Sequence, residues 1–308
     1  MLRYIVRRLL LVVPVFIGVS LIAFLIMKLT PGDPVLNVLG MQPTGDPSFI
    51  AAMRAELGLD DPIYIQYGKF LWRVLHGDLG RSIGSNKPVI LLVSEALPRT
   101  LLLVVSSMIV AIAIGIPIGM ASSIKQHSAV DHATRVGSIF AASLPDFWLG
   151  LMLMMIFSYY LGLTPISGYG RPEHIILPAV TLGVGLAGLI TRLTRSSMLE
   201  VIRQDYIRAA KAKGMSERGV ILKHALRNAL IPIVTVLGLQ FGFLLAGAFF
   251  VEWVFAWPGI GRLAVQAIQQ RDYPVVLGAL LVTSIAYVII NIVVDIIYSY
   301  IDPRVQYE

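Results

Sequence analysis

The chain has 308 residues, of which 56% are apolar and only 14% charged, with a net charge of +7 and no cysteine. Soluble domains carry about a quarter charged residues, so this composition excludes an ordinary soluble globule. The missing thiols exclude a disulfide framework and any thiolate metal site.

Six apolar runs are each long enough to cross about 30 Å of hydrocarbon, which takes about 20 helical residues. They cover 9–27, 100–122, 137–163, 175–193, 229–251 and 275–301. Arg3, Arg7 and Arg8 precede the first run as in a signal peptide. The run is too long for such a segment and no small-residue cleavage site follows, so it is read as a retained span. Pro117, Pro145 and Pro178 fall inside or at the ends of the runs, where neighbouring helices can satisfy the freed backbone. The expected fold is an all-α membrane protein of about six transmembrane helices.

Positive charge alternates between the connections. The N-terminus, Lys125 with Arg135, nine Lys and Arg between Arg192 and Arg227, and Arg304 in the tail form one set. The intervening short loops hold only Arg171 in one, and Arg262 with Arg271 in the other. The positive-inside rule places both termini and the fourth connection in the cytoplasm. The charge is a topology signal, and the nucleic-acid reading loses its support.

The chain then divides into a first span (1–29), an outside segment (30–97), a five-helix core (98–301) and a tail (302–308). In the outside segment Ser48 can cap a helix that Gly58 ends. Asp61-Pro62 can start another, with Ile63, Tyr67, Phe70, Leu71, Val74 and Leu75 on one face. Residues 88–97 form a third short apolar piece, and all three are expected against the outer membrane surface; a small soluble domain is the alternative.

The fourth connection, 197–228, is patterned as well as basic. Asp205 can cap a two-turn helix over 206–213, and Gly214 can take the left-handed position that ends it. Ser216 then caps a second helix, with Glu217 in its first turn where the dipole favours a carboxylate. This helix runs through His224 and Asn228 toward Pro232. Ala209 and Ala210 leave a small surface beside Tyr206, while Arg208, Lys211 and Lys213 offer charge to an acidic groove. A solvated basic loop would explain the charges but not the paired caps.

The last outside loop, 252–274, contains a turn, Trp257-Pro258-Gly259-Ile260-Gly261. A helix follows over 262–270, beginning at Arg262, with Leu263, Ala264, Ala267 and Ile268 at helical spacing. Asp272 and Pro274 are expected to cap and start the last span. Such a short helix suits a re-entrant piece at an outer gate or substrate vestibule; a helix lying on the surface is the alternative.

Asp146 and Asp295 lie within spans, where a charge must be paired or wetted. A proton relay would make the chain a secondary transporter. A structural role would pair Asp295 with the arginines closing the fourth span, and would let Asp146 cap a helix restarted after Pro145. Secondary transporters often carry inverted repeats, and none is visible; a channel would need a filter or charged ring. The five histidines show no metal-binding spacing. Gly115/Gly119 and Gly238/Gly242 can let helices pack closely.

Arg208-Ala-Ala-Lys-Ala-Lys-Gly214, followed by His224-Ala-Leu-Arg-Asn-Ala-Leu-Ile-Pro232, resembles the coupling loop of ABC importer permeases. The family form begins Glu-Ala-Ala. Arg208 at the Glu position is a departure shared by the dipeptide, oligopeptide, glutathione and nickel branch. Pro31-Gly-Asp-Pro34, Gly77-Asp-Leu-Gly80, Trp257-Pro-Gly-Ile-Gly261, Arg271-Asp-Tyr-Pro274 and Asp302-Pro-Arg304 resemble that branch in the same order. The resemblance implies a type I ABC importer transmembrane domain in a bacterial inner membrane. It implies a second related permease, two ABC ATPases and an extracytoplasmic binding protein as partners. The implied cargo is di- or oligopeptide, moved by alternating access, with nickel or glutathione as alternatives. Gly214 to Gly219 continues Val220-Ile221 without the lysine of a phosphate-binding loop. The chain is therefore expected to be no enzyme and to bind no cofactor, with ATP and Mg on partner subunits.

Overall fold

The computed structural model describes residues 2–29 and 60–301; the expected helix between Ser48 and Gly58 lies outside them. The described residues form α1 (Leu2–Leu29), α2 (Ile63–Leu75), α3 (Val89–Ile124), α4 (Ala129–Ser143), α5 (Asp146–Leu153), α6 (Ile176–Ile202), α7 (Asp205–Ala212), α8 (Leu226–Val254), α9 (Ile260–Gln269) and α10 (Tyr273–Ile301). Among the described residues, four continuous helices, Val89–Ile124, Pro172–Ile202, Glu217–Leu245 and Tyr273–Val294, are long and apolar enough to cross a membrane. The first expected run falls in α1, which is 28 residues long and holds the apolar stretch Val13–Ile26.

The third run is not one straight helix. α4 and the helical segment from Asp146 to Tyr160 meet at a bend of 102°. The cause is Pro145, which restricts the residue before it to extended geometry and has no N–H to donate. Leu144 accordingly has φ −73° and ψ 128°. Beyond α5 the chain widens into a π-helical turn, Met154–Tyr160.

The chain forms two compact units. One comprises Met1–Pro98 with Gly259–Val288, the other Arg99–Pro258 with Ile289–Glu308. In the first, α2 packs on α1: the Phe24 ring lies 5.5 Å from Tyr67 and 5.8 Å from Phe70, and the Tyr67 hydroxyl is 2.9 Å from Ser20 Oγ. Ile63 and Leu75, expected on that face, are exposed. Asp61 does not cap α2; Pro62 holds the cap position, and the Asp61 carboxylate pairs with Lys69 at 2.6 Å. Val89, Val93, Ala96, Ile260, Ala267 and Val275 make this unit's buried cluster. The expected separate piece over 88–97 is instead the first part of α3. The helix runs unbroken through Pro98, because a proline forfeits only one ladder bond and packing on either side of it holds the helix.

The second unit's core is built from α3, α6 and α8, with Leu103, Val104, Leu182, Ile190, Ile233, Val251 and Trp257 among its buried side chains. Gly119 sets how close α3 and α6 come. A Cβ there would lie 2.5 Å from the Thr191 carbonyl and 2.7 Å from Thr194 Cβ.

Candidate functional site

The segment between α6 and α8 folds as its local chemistry dictates. α7 is two turns long and begins at Asp205, which is its first residue and not the expected cap, and Gly214, at φ +80°, terminates it. The Met215 N–H donates back to the Ala210 carbonyl at 3.4 Å, the six-to-one bond of a Schellman cap, which requires a left-handed residue in between. Ser216 then caps the next helix, accepting from the Gly219 N–H at 3.3 Å. Glu217–Gly219, a π-helical turn over Val220–Ala225 and α8 follow without a break.

One residue that sequence reasoning missed fixes this short helix in place. Ile207 is 1% exposed and sits in a cluster with Met198, Val220, Ala225 and Ala229. Ala210 packs against the same cluster, so only Ala209 of the expected alanine pair faces outward. The signal was available: Ile207 and Ala210 are three apart, on one face of a helix whose other residues are polar or small.

The outward face is continuous and carries no burial that would hide it. Asp205, Tyr206, Arg208, Ala209, Lys213 and Gly214 are all exposed, while the side chain of Lys211 lies outside the described residues. Arg208 approaches Asp205 at 3.6 Å, both side chains largely in solvent. Such a pair is worth about 1 kcal/mol or less, so both groups remain available to a partner. The helix is a small, rigid protrusion with mixed charge and one aromatic ring.

The 252–274 segment is distributed between the two units. Trp257 is buried in the second, donating its indole N–H to the Arg99 carbonyl at 3.0 Å and meeting Tyr169 edge-to-face at 4.9 Å. The Arg99 guanidinium stands 5.3 Å over that Tyr169 ring, and its Nη1 donates to the Pro258 carbonyl at 3.5 Å. Sequence reasoning missed Glu252, which is fully buried and receives the Thr100 hydroxyl at 2.5 Å. In the first unit Gly259 occupies the cap position of α9, which therefore starts at Ile260 and includes Gly261 and Arg262 in its first turn. The expected start at Arg262 was two residues late, because glycine at 261 was read as turn.

Asp272 does not cap α10 with its side chain. The second helical residue is Pro274, which has no N–H to offer. The carboxylate turns instead to the 82–85 loop, where Oδ2 accepts from Ser82 Oγ at 2.6 Å and from the Gly84 N–H at 3.3 Å.

Of the two intramembrane acids, Asp146 is the first residue of α5. Pro145 takes the cap position, and the Asp146 side chain makes no capping bond. The side chain of Asp295 lies outside the described residues. Arg195, one of the arginines expected to meet it, is engaged by Asp131, which is fully buried.

Two family descriptions cover the chain: the N-terminal part of the binding-protein-dependent transport system membrane component over residues 1–104, and the binding-protein-dependent transport system inner membrane component over 113–307. The glutathione transport system permease protein GsiC of Salmonella paratyphi A is 43% identical over 308 residues, covering all of both chains. The dipeptide transport system permease protein DppB of Escherichia coli K12 is likewise 43% identical over the whole of both chains. Among solved structures, an inward-facing form of the MetNI methionine ABC transporter aligns with a TM-score of 0.58 at 20% identity, over 68% of this chain and 96% of that one. It supports the fold alone, which this chain shares with a chain of that transporter. These matches leave no room for a stand-alone proton-coupled carrier: the chain belongs to the family of inner membrane permease components of binding-protein-dependent ABC transport systems.

Proposed function

We propose that this chain is one of two related permease subunits that together carry di- and oligopeptides inward across a bacterial inner membrane. In this reading α7 is the coupling helix. It seats in a cleft of an ABC ATPase, and ATP-driven closure of the ATPases moves it so that the spans open outward. A separate binding protein delivers the cargo; ATP and Mg stay on the ATPases, and both termini lie in the cytoplasm. The observation that carries the coupling role is the protruding α7, anchored inward by Ile207 and closed by Gly214 at φ +80°. An exposed helix with an apolar anchor transmits a push to the body beneath it, where a loose loop would absorb it.

The peptide assignment rests on full-length likeness to a dipeptide permease. The equal likeness to a glutathione permease fits the same reading, since glutathione is itself a peptide. The test is ATP-dependent uptake into vesicles holding the complete complex, comparing labelled dipeptide, glutathione and nickel. Dipeptide or oligopeptide uptake is expected; uptake of nickel alone would reject the cargo assignment. The 262–270 segment, which α9 covers up to Gln269, is read as a wall of the outer vestibule. Its cysteine accessibility is expected to change when a non-hydrolysable ATP analogue is added.

A further inference from the structure

Within the first unit, the 82–85 loop, α9 and the start of α10 line an open cavity of about 590 Å³. Ligand pockets commonly measure about 300–1,000 Å³. Part of its wall is apolar, from Leu92, Leu263, Ala267 and Val275. The rest is polar: Ser85, Gln266 and Gln270 beside Asp272. Among the described residues lining it there is no lysine or arginine.

Asp272 is 3% exposed, and its two oxygens differ. Oδ2 takes both hydrogen bonds from the loop, whereas Oδ1 is buried and has no partner. Ser85 cannot serve it, because its hydroxyl donates to Ser82 Oγ at 2.8 Å. Gln270 Oε1 stands close by, 3.3 Å from where a Gly84 Cβ would be. A buried carboxylate oxygen without a donor is costly. Here the carboxylate belongs to a residue of the cavity wall, fixed by a loop built around it, with the amides of Gln266 and Gln270 lining the same cavity. The missing complement is a cation with several N–H donors.

We propose that this cavity takes the ammonium group of a peptide-sized ligand, with Asp272 as its counter-ion. That the ammonium is a peptide's N-terminus rests on the transport reading above. The apolar wall then faces the first side chains, and specificity falls on the amine, leaving side-chain identity to other parts of the system.

The test uses the full-length chain in lipid nanodiscs without a binding protein, with glycyl-leucine and N-acetylglycyl-leucine as probes. Equilibrium binding should be at least tenfold weaker for the acetylated peptide. It should weaken at least tenfold for the free peptide in Asp272→Asn, which keeps the loop's hydrogen bonds and loses the charge. Gln270→Lys, at an exposed position, should have the same effect by supplying an internal ammonium; it decides the matter if Asp272→Asn fails to fold. Equal binding of both peptides, no binding of either, or normal binding in the variants overturns the proposal. If wild-type vesicles import peptide while amine-dependent binding is absent, the site fails and the transport reading stands.

Discussion

Arg195 grips Asp131 with two bonds, Nε to Oδ1 at 2.6 Å and Nη2 to Oδ2 at 2.9 Å, across 64 residues of sequence. Ser122 Oγ adds a third bond to Oδ1 at 2.7 Å and the His127 N–H a fourth to Oδ2 at 3.1 Å. One carboxylate thus ties α3, α4 and α6 together. Removing one partner of a buried pair strands the other, which is far worse than replacing both by apolar groups. Arg195→Met should therefore lower the thermal midpoint of the purified protein markedly, and Asp131→Leu/Arg195→Met should recover much of the loss. A double variant no more stable than Arg195→Met alone would refute this account.

Gly214 is the second test. Nothing lies within 4 Å of the position a Cβ would take there, so a substitution is opposed by backbone conformation alone. At φ +80° any Cβ costs roughly 1–2 kcal/mol, and a β-branched one more. Gly214→Val should lose ATPase copurification and uptake while inserting normally; Gly214→Asn should retain most of both. Normal transport by the valine variant would remove the capped-helix basis of coupling.

Ile207 and Arg208 are neighbours with opposite roles. Emptying the Ile207 site costs about 2–5 kcal/mol for a buried isoleucine cut to alanine, enough to loosen α7 from its cluster. Uptake should fall steeply in Ile207→Ala and only modestly in Arg208→Ala, whose ion pair is exposed, with the latter defect larger at low salt. Copurification of the ATPase at two salt concentrations measures both. The reverse order of severity would mean that charge, and not anchoring, carries the contact.

Topology can be read with three single cysteines. Ser85, Ser167 and Ser216 are all exposed, so labelling reports the side of the membrane and not burial. An impermeant thiol reagent added outside should label cysteine at positions 85 and 167 but spare 216. Labelling at 216 would invert the orientation.

Gly119 should tolerate no side chain. The contacts at 2.5 and 2.7 Å involve the Thr191 carbonyl and the Thr194 Cβ, neither of which can rotate away. Gly119→Ala should destabilise by about 1–3 kcal/mol, the usual cost of overpacking. Gly247→Ala, with open space around it, should be neutral in the same unfolding assay.

What was legible in the sequence was local. The Gly214 and Ser216 caps follow from single residues acting on their own backbone, and the structure has both. Asp131 was not legible, because its nearest basic neighbour in sequence, Arg135, sits 4.0 Å away as an ordinary helical pair while the decisive arginine is remote. Asp272 misled for the same reason: its position before a helix suggests a cap, and a loop 190 residues earlier claims the carboxylate. A helix restarting after Pro145 is legible in the sequence, but the size of the turn is not: the extended residue before the proline turns the chain by 102°.

From Glu217 to the end of α8 the helix is one piece, about 57 Å along its contour at 1.5 Å per residue. That makes it a lever whose foot is the cluster under α7. A tilt of about 5° at the foot sweeps the far end through about 5 Å over that length, comparable to one helical turn. Two joints are built into the shaft, the π-helical turn at Val220–Ala225 and Pro232, the kinds of interruption where helices bend. If α7 couples to the ATPase as proposed, stiffening either joint should change how far the stroke travels without touching the face that receives the push.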